Sequence, residues 1–101
     1  MSLSPTAPQV PRLSKEAREL LIEASKDRQG VVLKLQTMEG ASVQMNGRNF
    51  AETGSPRSES QWRSVVEELS RLHLLEDRGG KREVYFITGD GYKTAERLQQ
   101  Q

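Results

Sequence analysis

Any chemistry in this chain has to come from a short set of side chains. His73 is the only histidine and there is no cysteine. A zinc site with histidine or thiolate spacing, a cysteine nucleophile and a disulfide are therefore all out of reach. Serines are plentiful, but none sits in a nucleophile-elbow motif, and one histidine leaves few bases to activate them. Gly79-Gly80 lacks the lysine-serine context of a phosphate loop. Asp90, in Thr88-Gly89-Asp90-Gly91, is superficially like the start of a calcium loop, but the ligand series does not continue. Its carboxylate suits the positive end of a helix, and His73 suits the negative end of another. These residues predict a non-enzymatic protein with no catalytic group, cofactor or metal. What remains is positive charge. Arg78, Lys81 and Arg82 flank two glycines, and Arg57 and Arg63 fall on a predicted helix. Such cations can contact phosphates. The plain alternative is a charged surface turn, because tight turns need glycine and charged neighbours are usual there.

The elements that must position these cations are readable from periodicity. Ser14 caps a helix over 15–28, with Ala17, Leu20, Leu21 and Ala24 recurring at helical spacing and Gly30 as its stop. Residues 31–35 alternate as a strand, Val31, Leu33 and Leu35 on one face and Val32 and Lys34 on the other. Glu39-Gly40 and Asn46-Gly47 are turn signals, and Val43 and Met45 continue the alternation between them. Phe50 anchors the segment after the second turn. A second helix starts either at Ser55-Pro56, a cap with proline in first position, or at the capping box Ser58-x-x-Gln61. Its core stripe is Trp62, Val65, Val66, Leu69 and Leu72, with Trp62 expected to be largely buried. Leu74-Leu75-Glu76 begins a strand, Arg78-Gly79-Gly80-Lys81 turns it, and Glu83 to Ile87 returns. Thr88 caps a last helix with the stripe Gly91, Ala95 and Leu98.

Composition narrows the classes further. The length of 101 residues suits one domain, and 34% hydrophobic against 29% charged residues allows a small core. Residues 4–11 hold three of the four prolines, so 1–12 is expected to be a flexible tail or linker, with the folded domain over 13–101. A formal net charge of +1 does not by itself argue for nucleic acid. No apolar run approaches membrane-spanning length and the N-terminus has no apolar signal core, so the expected location is the cytoplasm, away from membranes.

Leu69, Leu72, Leu74 and Leu75, then a short glycine-containing hairpin, then Tyr85, Ile87, Thr88, Gly91, Ala95 and Leu98 together resemble the second half of a winged helix-turn-helix domain of bacterial regulators. The resemblance covers residues 57–100. It implies an α+β, winged-helix-like fold, three main helices with a small antiparallel sheet. It also makes 57–73 the recognition helix, with Glu59, Ser60, Arg63, Ser64, Glu67 and Arg71 facing outward. The first half departs from that pattern. Where a positioning helix belongs, 37–54 carries two turn signals and three glycines. It reads either as a hairpin of 31–36 with 41–45 or as a degraded helix.

Two functions are compatible with these features. One is a nucleic-acid-binding or regulatory winged module, possible as part of a larger protein, whose duplex DNA contacts are Arg57, Arg63, Arg78, Lys81 and Arg82. Over 57–71, Arg57, Arg63 and Arg71 are balanced by Glu59, Glu67 and Glu68, so binding is expected to be weak and largely non-specific. The other is a protein-interaction or structural module that has lost the DNA surface. Its candidate contact for a protein partner or a dimer is an outer-face patch of Val32, Val84 and Phe86, unless 37–54 covers it.

Overall fold

Ser14 opens helix α1 (Lys15–Lys26) by accepting the Ala17 amide at 3.1 Å, and Ala17, Leu20, Leu21 and Ala24 are all buried. In the computed structural model of the protein, which describes residues 12–38, 40–51 and 55–100, the helix stops at Asp27 rather than at Gly30. The Asp27 carboxylate accepts the amides of Gln29 and Val31, each at 3.0 Å, and that of Asn46 at 3.1 Å. It thereby joins the end of α1 to the start of β1 (Val31–Thr37) and to the turn after β2 (Gly40–Met45). That turn leads into β3 (Arg48–Asn49), and Asn46 and Gly47 both take positive φ, 49° and 76°, the mirror-image geometry that Asn-Gly favours. Glu23 adds a second tie, accepting from the Asn46 side-chain amide at 2.7 Å and from Arg48 at 2.9 Å. The expected 1–12 tail lies outside the described residues apart from Arg12, as does Glu39 of the first turn signal.

Helix α2 (Pro56–Arg71) starts at the first of its two candidate signals, with Ser55 accepting the Ser58 amide and Pro56 in first position. Val65, Val66 and Leu69 are buried. Trp62 packs against this core from its margin, partly buried and set edge-on to Phe50 with ring centroids 5.0 Å apart. Leu72 leaves the predicted stripe, at 41% exposure. The helix ends one residue earlier. His73 turns the chain at φ 62°, the Leu74 amide reaches back to Leu69 O at 2.9 Å and His73 N to Ser70 O at 3.0 Å. This closing motif carries Leu74 into the core in place of Leu72. Strands β4 (Leu75–Asp77) and β5 (Val84–Ile87) come next, then α3 (Gly89–Gln99). Thr88 caps α3 by accepting the Gly91 amide at 2.9 Å, while its hydroxyl donates to His73 O at 2.7 Å.

The fold is α+β, three helices and a five-stranded antiparallel sheet in the order β3-β2-β1-β5-β4. Between β1 and α2 the chain forms β2 and β3, so the hairpin alternative holds for the described part of 37–54. The helices gather over one sheet face, where Val32, Val43, Met45, Leu75, Tyr85 and Ile87 meet Leu20, Leu21, Val66 and Leu69 in a single core.

One assignment is reversed. The expected outer-face patch joins Val32 to Val84 and Phe86, yet Val32 is fully buried. It lies opposite Tyr85, while Val31 lies opposite Phe86 and Leu33 opposite Val84. Opposed residues share a face. Tyr85 and Ile87 point into the core, so Val32 and Lys34 go with them, and the outer patch becomes Val31, Leu33, Leu35, Val84 and Phe86. Alternation alone points the other way, because Val31, Leu33 and Leu35 make the more apolar face of β1 while Val32 shares its face with Lys34 and Gln36; the pairing with β5 decides.

Gly91 explains how closely α3 sits on the sheet. A Cβ there would strike the Leu74 carbonyl and come 2.6 Å from the Ile87 side chain. Gly91→Ala is therefore expected to destabilise the fold by about 1–3 kcal/mol, although alanine is the better helix former; chemical denaturation of the two proteins checks this.

A second expectation concerns pH. The Val31 amide, with those of Gln29 and Asn46, holds Asp27 below the ordinary carboxylate range, and the Asn46 side chain together with Arg48 does the same for Glu23. Because the folded values lie below the unfolded ones, this stability is complete above about pH 5 and is lost as pH falls through the folded values. Asp27→Ala should cost roughly 2–4 kcal/mol near neutrality and shrink the stability difference between neutral and acidic urea melts. An unchanged difference would reject Asp27 as a source of the acid sensitivity.

Candidate nucleic-acid interface

The β4–β5 connection is ordered by one side chain. Asp77, the last residue of β4, accepts the Gly80 amide at 3.0 Å and the Arg82 amide at 2.8 Å, and the Lys34 amide holds Glu83 O at 2.7 Å. Gly80 and Arg82 accordingly take positive φ, 73° and 58°. The expected turn at 78–81 is part of a folded loop pinned at both ends. It faces α2 across a cleft floored by β1 and β5.

Two adjoining hollows make up this cleft and share Glu67 and Arg82. One, of about 240 Å³, adds Ser70, Arg71, Asp77 and Tyr85. The other, of about 310 Å³, adds Lys34, Gln36, Arg63, Lys81 and Glu83 among its walls. Five cations, Lys34, Arg63, Arg71, Lys81 and Arg82, thus face three carboxylates, Glu67, Asp77 and Glu83. Asp77 is already engaged with the loop amides.

The neutral charge count along α2 separates in space. Glu68 turns towards α1, accepting the Ser14 amide at 3.2 Å and the Ser14 hydroxyl at 3.0 Å. Glu59, expected outward, fills the space that a side chain at Gly40 would take. Of the three helix carboxylates, only Glu67 borders the cleft. It approaches Lys34 at 3.9 Å, rather than forming the i, i+4 pair with Arg63 that spacing allows.

Arg63, Lys81 and Arg82 are thus brought together, and Arg57 and Arg78 are not. Arg57 is exposed in the first turn of α2 and lines neither hollow. Arg78 lies over the Phe86 ring at 4.4 Å and donates to Glu76 at 3.2 Å. Glu76 and Phe86 are opposed in the β4–β5 pair, so Arg78 belongs to the outer sheet face. Sequence reasoning missed Lys34 and Asp77. The signal for Asp77 was present, an aspartate ahead of Gly79-Gly80, which suits a side chain that accepts loop amides. Lys34 carried no local signal, because its face depends on the pairing of β1 with β5.

Lys34 is the cation of the cleft that is drawn inward, the other four being exposed. Its side chain is 10% exposed, and its ammonium is 5.7 Å from the centre of the Tyr85 ring. Burial pushes its pKa down; Glu67 opposes this, and Arg63 and Arg82 reinforce it. Burial likewise raises Tyr85. Among the described residues, no group of His, Asp or Glu side chains converges as metal ligands would, and no helix is long and apolar enough to cross a membrane.

No family model, curated protein or solved structure matches this chain.

Proposed function

We propose that this chain is a non-enzymatic, winged-helix-like regulatory module that contacts the phosphate backbone of duplex nucleic acid through the cleft between α2 and the β4–β5 loop. The observation that carries the reading is electrostatic. Arg63, Arg71, Lys81 and Arg82 converge on the cleft, while Glu59 and Glu68 are drawn off to Gly40 and Ser14. Topology supports the winged part of the reading: α2 leads into the β4–β5 hairpin, α3 comes after it, and β1 lies beside β5. The β2–β3 hairpin stands where the positioning helix of such domains would be. With that helix replaced, the reading favours backbone contacts beside the loop over insertion of α2 into a major groove. Affinity is then mostly electrostatic and sequence-independent.

Fluorescence anisotropy on a random duplex at low salt tests this. Three or four phosphate contacts give a log–log salt slope of about −3 to −4. Changing Arg63, Lys81 and Arg82 together to alanine should flatten the slope by about 3, whereas Arg78→Ala should leave it unchanged. No binding at high micromolar protein would reject the reading.

The open sheet face favours a second reading, association with a second copy of this chain. Val31, Leu33, Leu35 and Phe86 are only half-buried there, and Val84 is 36% exposed. Glu76 and Arg78 stand on its rim, opposite charges that a two-fold axis could exchange between copies. Sedimentation velocity should then show dimers at high micromolar concentration, abolished by Val84→Asp. A monomer throughout the range would remove this reading.

A further inference from the structure

Lys34 is in an unusual position for a strand lysine. Its side chain is nine-tenths buried on the helix-facing side of β1, and its ammonium opens into the hollow shared with Arg63, Lys81 and Arg82. The carboxylate beside it is Glu67 at 3.9 Å, beyond hydrogen-bond range. The Tyr85 ring supplies a π-face at 5.7 Å but no acceptor. An ammonium has three donors. That of Lys34 meets no direct acceptor and is left to the water of the hollow, since among the described residues no side-chain nitrogen or oxygen is both buried and without a partner; two neighbouring guanidiniums, Arg63 and Arg82, add repulsion. Glu67 is an exposed side chain, 56% accessible, so it is free to swing away.

We propose that Lys34 anchors an anion seat at the floor of this cleft, which takes a phosphate group between Lys34, Arg63, Lys81 and Arg82, and that Glu67 guards the seat when it is empty. Of the two carboxylates that line this hollow, Glu67 and Glu83, Glu67 stands 3.9 Å from the ammonium; a tetrahedral oxyanion can instead accept from several cations arranged around it. The hollow of about 310 Å³ has room for one such group. Charge on the anion relieves the repulsion among the cations, and Glu67 turns outward as it enters. The seat deepens the phosphate reading of the cleft, and naming a duplex as the source of the phosphate rests on that reading.

The experiment uses two probes, inorganic phosphate and a random DNA duplex, on the wild-type chain, Lys34→Met and Glu67→Gln. Phosphate is followed by NMR at the Lys34 ammonium and the surrounding amides, and the duplex by anisotropy. Saturable phosphate binding is expected, lost in Lys34→Met and tightened about three- to tenfold in Glu67→Gln, which removes one negative charge close to the site. Duplex affinity should move in the same directions. Lys34→Met is expected to fold, because replacing a buried charge by an apolar chain of similar length is often neutral or stabilising. If it does not fold, Glu67→Gln decides alone: tighter binding of either probe supports the seat, and unchanged or weaker binding overturns it. Duplex binding that ignores both substitutions overturns the seat and leaves the cleft reading standing. Phosphate binding sensitive to Lys34, without duplex binding, supports the seat and overturns the nucleic-acid reading. Binding of neither probe by the wild type overturns both.

Discussion

The pairing of β1 with β5 is the constraint on which the rest of the structure depends. Val32 stands opposite Tyr85, with Val31 opposite Phe86 and Leu33 opposite Val84. A slip of one residue would exchange the faces of every side chain on β1. It would place Val31, Leu33 and Leu35 under the helices, turn Val32 outward and take Lys34 out of the cleft. The register is held at its end by the Ile87 amide, which donates to Gly30 O at 2.8 Å, and on the other side by Lys34 N to Glu83 O. Both the core and the charged cleft therefore depend on the same few backbone hydrogen bonds.

That register also divides the molecule into two unlike surfaces. On the helix side, Lys34 takes the inward place next to Val32 on β1, and the apolar core gives way there to the charged cleft. On the opposite side, an apolar stripe remains partly exposed, with Arg78 laid across Phe86. A long cation stacked on a ring covers apolar surface while keeping its charge in water. Arg78 is thus part of the cover of the sheet, while Lys81 and Arg82, three and four residues further on, face the cleft. The loop between them reverses direction because Asp77 gathers the amides of Gly80 and Arg82.

Charge balance in the linear chain conceals this asymmetry. The carboxylates of α2 are spaced so that Glu59 meets the start of β2, Glu68 meets the cap of α1, and Glu67 alone borders the cations. Two of the three are turned to neighbours within the fold. The contact of Glu68 with the Ser14 hydroxyl ties the start of α1 to α2. The helix can then carry a net positive outer surface although its sequence sums to zero. Counting charges along a helix overstates repulsion whenever the acidic residues have neighbouring backbone or hydroxyl donors to engage.

Local signals determined most of the elements. Ser14, Ser55 and Thr88 each accept an amide three residues on. Asn46-Gly47 makes its turn, and the α1 stripe is buried. Caps, turns and helical periodicity depend on neighbours within a few residues, which is why they were legible. The hairpin of β1 and β2 was one of two alternatives for the same reason: its turn signal was legible, but its pairing was not. Which face of β1 is inward, that Leu74 replaces Leu72 in the core, and that Trp62 meets Phe50 at an edge were decided by the tertiary structure. The same holds for the site. Arg63, Lys81 and Arg82 could be read as candidates from their types and positions, but Lys34 could not be joined to them, nor Arg78 separated from them, before the strands were paired. Those assignments depend on register and on contacts between residues distant in sequence, which no local pattern in this chain specifies.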